Sequence, residues 1–161
     1  MSDFWEIKNW ICIFTGPCIE VFDLVWDFWG TGLIASSEVN ASHSPLNSRI
    51  DGPSYWLPSD VSSPWIYARF DETRVVTAIQ TQGSGENGSY VKQYKIEIND
   101  GAWRYMQSDD GDDVVFNGNT DGSTVVLNYL PELVETEDVI LYAIDYFRAP
   151  ALRWAVLGCP I

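Results

Sequence analysis

At 161 residues, with 46% hydrophobic and 14% aromatic side chains, the chain can bury a proper core as one domain and does not have the composition of a disordered protein. A formal net charge of −14 argues against nucleic acid as a partner, because neutralising phosphates takes a basic surface. It also works against direct attraction to anionic lipid, unless calcium bridges the two.

Asp3, Glu6 and Lys8 interrupt the first residues, and no apolar run reaches membrane-spanning length. Neither a signal peptide nor a transmembrane segment is therefore visible, and an extracellular location implies that a leader has been removed. Residues 1–17 form an aromatic N-terminal extension with Phe4, Trp5, Trp10 and Phe14, separated by Gly16 and Pro17 from a single domain expected over residues 18–161. Three cysteines leave an odd one over. Cys18 and Cys159 lie near the two ends of the folded part, as expected for a disulfide tying the termini of a secreted β domain; the alternative is three reduced, buried thiols. Cys12 is either a buried thiol or a link between copies in a homo-oligomer.

Residues 19–29, IEVFDLVWDFW, place Glu20, Asp23 and Asp27 at helical spacing opposite a wide apolar face, and read equally as an irregular buried strand. Either way the segment packs on the domain's own sheet or meets a partner, since contiguous apolar surface seldom stays exposed. Leu33, Ile34 and Ala35 make a short strand. The polar stretch that follows is too long for an idle connection in a compact domain. Its His43, the chain's single histidine, reads as a base, a metal ligand or a solvated loop residue.

Residues 65–83, WIYARFDETRVVTAIQTQG, read as a β-hairpin. Ile66, Ala68 and Phe70 alternate with Tyr67, Arg69 and Asp71, a polar turn follows at residues 71–74, and Val75, Val76, Ala78 and Ile79 supply a second strand. Residues 84–89, SGENGS, are a solvent loop. Residues 90–99 alternate cleanly, and Asp100 with Gly101 turns the chain into residues 103–106. The acidic run at residues 109–113 resembles a calcium loop in composition only, lacking the spacing and terminal Glu of an EF-hand, and reads as a solvated hairpin tip. Further strands at residues 114–116, 125–127, 139–144 and 152–157 bring the count to at least eight, with little helix. That favours an all-β sandwich or jelly roll. Enzyme signatures are missing: there is no G-x-S-x-G elbow, P-loop or H-E-x-x-H, and no spacing nominates a pair among the acids.

LIASSE at residues 33–38, SRIDGPSYWLP at 48–58, the 65–83 segment, YVKQYKIEIND, VFNGNTDGSTVVLNYLP and the closing PALRWAVLGC resemble, in order, the discoidin domain, also called the coagulation factor V/VIII C-type domain. The resemblance runs from Cys18 to Cys159. It implies a distorted eight-stranded jelly roll, Cys18 and Cys159 in the family's terminal disulfide positions, and a non-catalytic extracellular recognition or adhesion module with its ligand site in the loops at one end. Three departures stand out. Arg69 replaces the Asp of the family's V-D-L strand, Ala155 replaces the Glu of A-L-R-x-E, and residues 140–144 lack the arginines of R-Y-x-R-I. The loss of two arginines and an opposed aspartate suggests a rewired ion pair, with Asp145 as the candidate partner of Arg69.

The ligand loops implied are residues 39–46, 59–63 and 84–89. Val39, Asn40, His43 and Asn47 in the first region, Tyr55, Trp56, Asp60 and Val61 in the second, and Glu86 and Asn87 in the third are the candidates. Sugars stack on aromatic faces and take hydrogen bonds from planar polar groups, which Tyr55, Trp56 and these Asn, Asp, Glu and His residues could supply as in a lectin, although Trp56 is more often a packing residue in this pattern. A protein ligand would use the same rim, with Asp60 meeting an Arg or Lys. Lipid binding is disfavoured, because the loops offer only Val39, Pro45, Leu46 and Val61 as apolar tips. Some relatives hold calcium through an Asp-Gly loop and the closing Glu. Asp51 and Ser54 remain candidates for it here, but Ala155 brings no carboxylate. Asn40 and Asn87 head N-glycosylation sequons within the presumed ligand end. The competing reading is a structural or oligomer-forming domain that uses the aromatic extension and Cys12.

Overall fold

The computed structural model describes residues 18, 20–26 and 32–161; the aromatic extension, Cys12 and Asp27 lie outside the described residues. Eight strands and two 3-10 turns make up the described chain. They are β1 (Phe22–Asp23), β2 (Gly32–Ala35), β3 (Trp65–Gln82), β4 (Tyr90–Asn99), β5 (Trp103–Tyr105), β6 (Phe116–Asn117), β7 (Val126–Phe147) and β8 (Arg153–Pro160). Every ladder is antiparallel. The order is β1-β8-β3-β7-β4-β5, with β2 added to β3 and β6 to β4. This is the eight-stranded jelly roll expected. Of the 19–29 segment, the described part is a short strand on β8 followed by a turn, not a helix.

The expected hairpin at residues 65–83 is instead one strand folded into an arch. Its halves do not pair with each other; both pair with β7, Trp65 through Arg69 against Tyr142 through Asp138, and Arg74 through Thr81 against Thr136 through Val126. The register shifts between Arg69 and Arg74, and again at Thr77, whose hydroxyl donates to Leu157 O at 3.1 Å. Straight, eighteen residues at roughly 3.3 Å each would span about 60 Å. Yet Gln82 at one end of β3 hydrogen-bonds Asp51 in the loop that leads into the other end. The strand therefore doubles back across the polar residues 71–73, and β7 bends with it as a single 22-residue strand where separate strands were expected.

Alternation decides which side chains enter the core. Ile66, Ala68 and Phe70 of β3, Ile96 and Ile98 of β4 and Val139 and Leu141 of β7 point inward and are fully or almost fully buried, with Trp56, Met106, Leu152 and Trp154 among them. Burying each large apolar side chain contributes about 1.5–3 kcal/mol. Tyr94, also buried, accepts a hydrogen bond on its hydroxyl from Asn128 Nδ2 at 3.0 Å, and burial raises its pKa.

Arg69 pairs with Glu137 at 3.6 Å and Asp138 at 3.8 Å, not with Asp145, which binds Lys92 at 2.6 Å. Register is the reason: Arg69 lies directly opposite Asp138, whereas Asp145 faces Gln93 near the far end of β7. Cys18 and Cys159 form a disulfide across Cα atoms 5.5 Å apart. It sits beside Val75, at the end where β3 turns and opposite the long loops.

Candidate functional site

The arch brings the loops before β3 and after β3 to one end of the molecule. The loop before it, residues 36–64, is built from two consecutive 3-10 turns, Ala41–His43 and Pro45–Asn47. Asn40 Oδ1 caps the first by accepting from Ser42 N at 3.0 Å, and Asn47 Nδ2 closes the pair by donating to Ala41 O at 2.9 Å. His43 stacks on Tyr55, ring centroids 4.5 Å apart, and its Nδ1 lies 3.2 Å from Tyr55 O. Val39 N donates to Leu57 O and Leu57 N to His43 O, so residues 39–47 and 54–57 form one unit. Asp60 is joined to it through its backbone N, which donates to Ser37 Oγ at 3.0 Å. Its carboxylate accepts from Ser62 N and Oγ, and those hydrogen bonds hold its pKa below the usual value.

The structure therefore gathers Val39, Asn40, His43, Asn47, Tyr55, Asp60 and Val61 in one region. Val39, Leu46 and Val61 are exposed there. An open groove of about 720 Å³, lined by Ile34, Glu38, Ala41, Pro45, Leu46 and Asn47, runs beside the first loop. Trp56 does not belong to this surface. It is 0% exposed, its indole N–H donates to Ser37 O at 2.9 Å, and it is a core residue rather than a stacking platform. Of the two roles the sequence allowed Trp56, packing is the one found: neighbouring side chains alternate along an extended backbone, and Trp56 bridges to Leu152 on the inner side.

Glu86 and Asn87 are exposed on the third loop, which is held from a different side. Gly85 N donates to Gly122 O at 2.8 Å and Arg148 Nη1 to Asn87 O at 2.9 Å. Asn87 itself adopts a left-handed conformation, φ 56°. At Gly83 a Cβ would meet Ser89 O at 2.6 Å and Gly122 Cα at 2.8 Å, so only glycine lets the two loops close.

Two residues that sequence reasoning missed hold this end together. Arg153 donates to Gly83 O at 2.8 Å and Gly52 O at 3.1 Å, and Gln82 Nε2 donates to Asp51 Oδ1 at 2.9 Å and Ser123 O at 2.7 Å. Burial lowers the pKa of the Arg153 guanidinium, with Asp51 opposing the shift. The signal for them was position: Gln82 and Arg153 lie opposite each other in the β3 and β8 register, at the strand ends that face the loops.

Asp51 and Ser54 do not fit a calcium site. The Asp51 carboxylate and the Gly52 carbonyl already accept from an amide N–H and a guanidinium, and Ser54 Oγ donates to Ser42 O at 2.6 Å. Calcium needs six to eight oxygens, several of them charged, and here a cationic side chain occupies the place between the loops.

The described residues thus form an antiparallel jelly roll with a braced cluster of loops at one end. The F5/8 type C domain model matches residues 33–156, and the chain belongs to that family. Zebrafish (Danio rerio) neuropilin-1a is 32% identical over 136 residues, 80% of this chain and 15% of that protein. Mouse (Mus musculus) lactadherin is 30% identical over 111 residues, 66% of this chain and 24% of that protein. The chain thus spans a quarter or less of these relatives. Among solved structures, wild-type discoidin II from Dictyostelium discoideum superposes with a TM-score of 0.72 at 22% identity, over 81% of this chain and 55% of that one. A family 32 carbohydrate-binding module from Clostridium perfringens, solved in complex with galactose, gives 0.60 at 21% identity, over 80% of this chain and 93% of that one.

Proposed function

We propose that this domain is a non-catalytic extracellular recognition module that binds a glycan or protein ligand through residues 39–47, 54–63 and 84–89. The observation that carries the reading is the convergence of these loops at one end, each braced by the scaffold through Asp51 with Gln82 and through Arg153. Preorganised loops bind without repeating the entropy cost of ordering them. The first region offers the chemistry of sugar recognition: an aromatic pair, His43 on Tyr55, beside Asn40, Asn47 and Asp60. Two proteins of the same fold were solved with galactose and with GalNAc-β-1,3-galactose, which supports a glycan as the first ligand to try.

A glycan array run with and without calcium tests this, alongside phosphatidylserine vesicles. Specific glycan binding, insensitive to calcium and lost in Tyr55→Ala and Asn47→Ala, is expected. Binding that survives both substitutions, or binding to vesicles alone, overturns the reading. Sizing under reducing and non-reducing conditions separates it from the oligomer-forming alternative through Cys12: a disulfide-linked oligomer without a ligand would favour that alternative.

A further inference from the structure

The outer face of the sheet gathers five aromatic side chains and reaches the groove beside the first loop only at its Ile34 edge. In β3, β7 and β4 the side chains that alternate with the core positions point outward, and register aligns them into rows. Ile34, Tyr67, Ile140, Glu97 and Tyr105 lie across five neighbouring strands, and Trp65, Tyr142 and Lys95 form the next row. Trp103, 49% exposed, meets Tyr67 edge-on at 6.3 Å, and Tyr105 meets Tyr142 in the same way at 5.7 Å. An outward sheet face is ordinarily polar. Two tryptophans and three tyrosines there call for an occupant.

The charges around the rings select it. Glu97, Asp100, Asp113, Glu132, Glu137 and Asp138 border the face, against Arg69, Lys95 and Arg104, each of which already pairs with one or two of those acids. Beside Trp103 a recess of about 390 Å³ is lined by Arg69, Asn99, Asp100, Glu135, Glu137 and Asp138. The face therefore carries surplus negative charge among aromatic rings. A guanidinium or ammonium gains from both, through ion pairing and through the ring faces, and Lys95 already does so, 5.0 Å from the Tyr105 ring centre. A sugar would find less. The Tyr67 and Tyr142 hydroxyls and the Asn99 amide are spent on Asp138, Glu97 and Asp138, and the edge-to-face rings offer no single flat platform. Trp, Tyr and Arg are also the residues that dominate protein interfaces.

We propose that this outer face of β2, β3, β7, β4 and β5 is a second docking surface, for a protein partner presenting Arg or Lys side chains, with Trp103 and the acidic recess as its anchor. Its anchor shares no lining residue with the groove beside the first loop, which meets this face only at β2.

The test uses the full chain, an oligo-arginine peptide as probe at about 0.15 M salt, where exposed charges are screened beyond about 8 Å, and calorimetry with amide NMR mapping. Perturbed amides should fall on Tyr67, Asn99, Trp103 and Tyr142. Trp103→Ala should weaken binding about tenfold or more, while Tyr129→Ala, an equally charge-neutral loss of an exposed aromatic on the other half of β7, should leave it unchanged. Glu137→Gln keeps every ring and should also weaken binding, so the inference does not hang on one variant's folding. Equal affinity in Trp103→Ala and Tyr129→Ala, or shifts scattered over the acidic surface, overturns it. So does self-association of the protein that Trp103→Ala abolishes, which would make the occupant a second copy.

Discussion

Gln82 and Asp51 exchange two hydrogen bonds, each 2.9 Å long: Asp51 N donates to Gln82 Oε1, and Gln82 Nε2 donates to Asp51 Oδ1. This reciprocal pair fastens the last residue of β3 to the loop that precedes its first. Removing the buried Gln82 amide deletes three hydrogen bonds, to Asp51 N, Asp51 Oδ1 and Ser123 O, from two residues that are otherwise exposed to water. Gln82→Ala should destabilise the domain by about 2–3 kcal/mol, read by urea unfolding. Amides of residues 50–52 and 123 should exchange faster, while those of residues 96–98 stay protected.

Gly83 is the second point of closure. Adding one methyl there would force Ser89 O and Gly122 apart, so Gly83→Ala should cost about 1–3 kcal/mol and displace residues 84–89. Melting temperature and amide shifts across that loop measure it; unchanged shifts at Gly85 and Gly122 would show that the contact gives easily.

Asp121 carries a pH dependence. Its carboxylate accepts from Ser123 N, Thr124 N and both hydroxyls, and these bonds, led by Thr124, lower its pKa to about 2. The folded value lies below the unfolded one, so the contribution is present above about pH 4. It is lost as pH falls toward 2. An NMR titration should place the Asp121 midpoint well below ordinary aspartates, and Asp121→Asn should flatten the acid response of the Ser123 and Thr124 amides.

Tyr67 shows the opposite sign. Burial and then the hydrogen bond to Asp138 raise its pKa, so its contribution is present below about pH 10 and lost as pH rises past it. Absorbance titration should find Tyr67 ionising later than ordinary tyrosines. Tyr67→Phe should cost about 1–2 kcal/mol by leaving buried Asp138 one donor short.

Replacing Cys18 and Cys159 together by Ser should lower stability by about 2–5 kcal/mol, read from the urea midpoint.

What could be read from residues alone follows the range of the interaction. β4 was legible because alternation at residues 90–99 is local, and so was the Gly101 turn, whose φ of 113° suits glycine. The polar residues 71–74 marked a real change of direction. Whether the flanking strands pair with each other or with a third strand depends on β7, some sixty residues away, and no local pattern carries that. The partner of Arg69 failed for the same reason, being set by register. In the loops, Tyr55 and Trp56 are adjacent large aromatics; the family pattern leaned toward packing for Trp56, and the bridge from Trp56 to Leu152 decides it. Arg153 and Gln82 sat in plain view within strands, but their loop-binding role exists only once β3 and β8 lie side by side. The aromatic face likewise needs four registers at once.

The disulfide has a mechanical meaning. Cys18 and Cys159 are 141 positions apart in sequence yet joined directly, so tension entering through residue 18 leaves through residue 159 by way of two sulfur atoms. The ladders and the loops between them carry none of that load. A domain wired in this way keeps its ladders and loops unstrained when force is applied across residues 18 and 159.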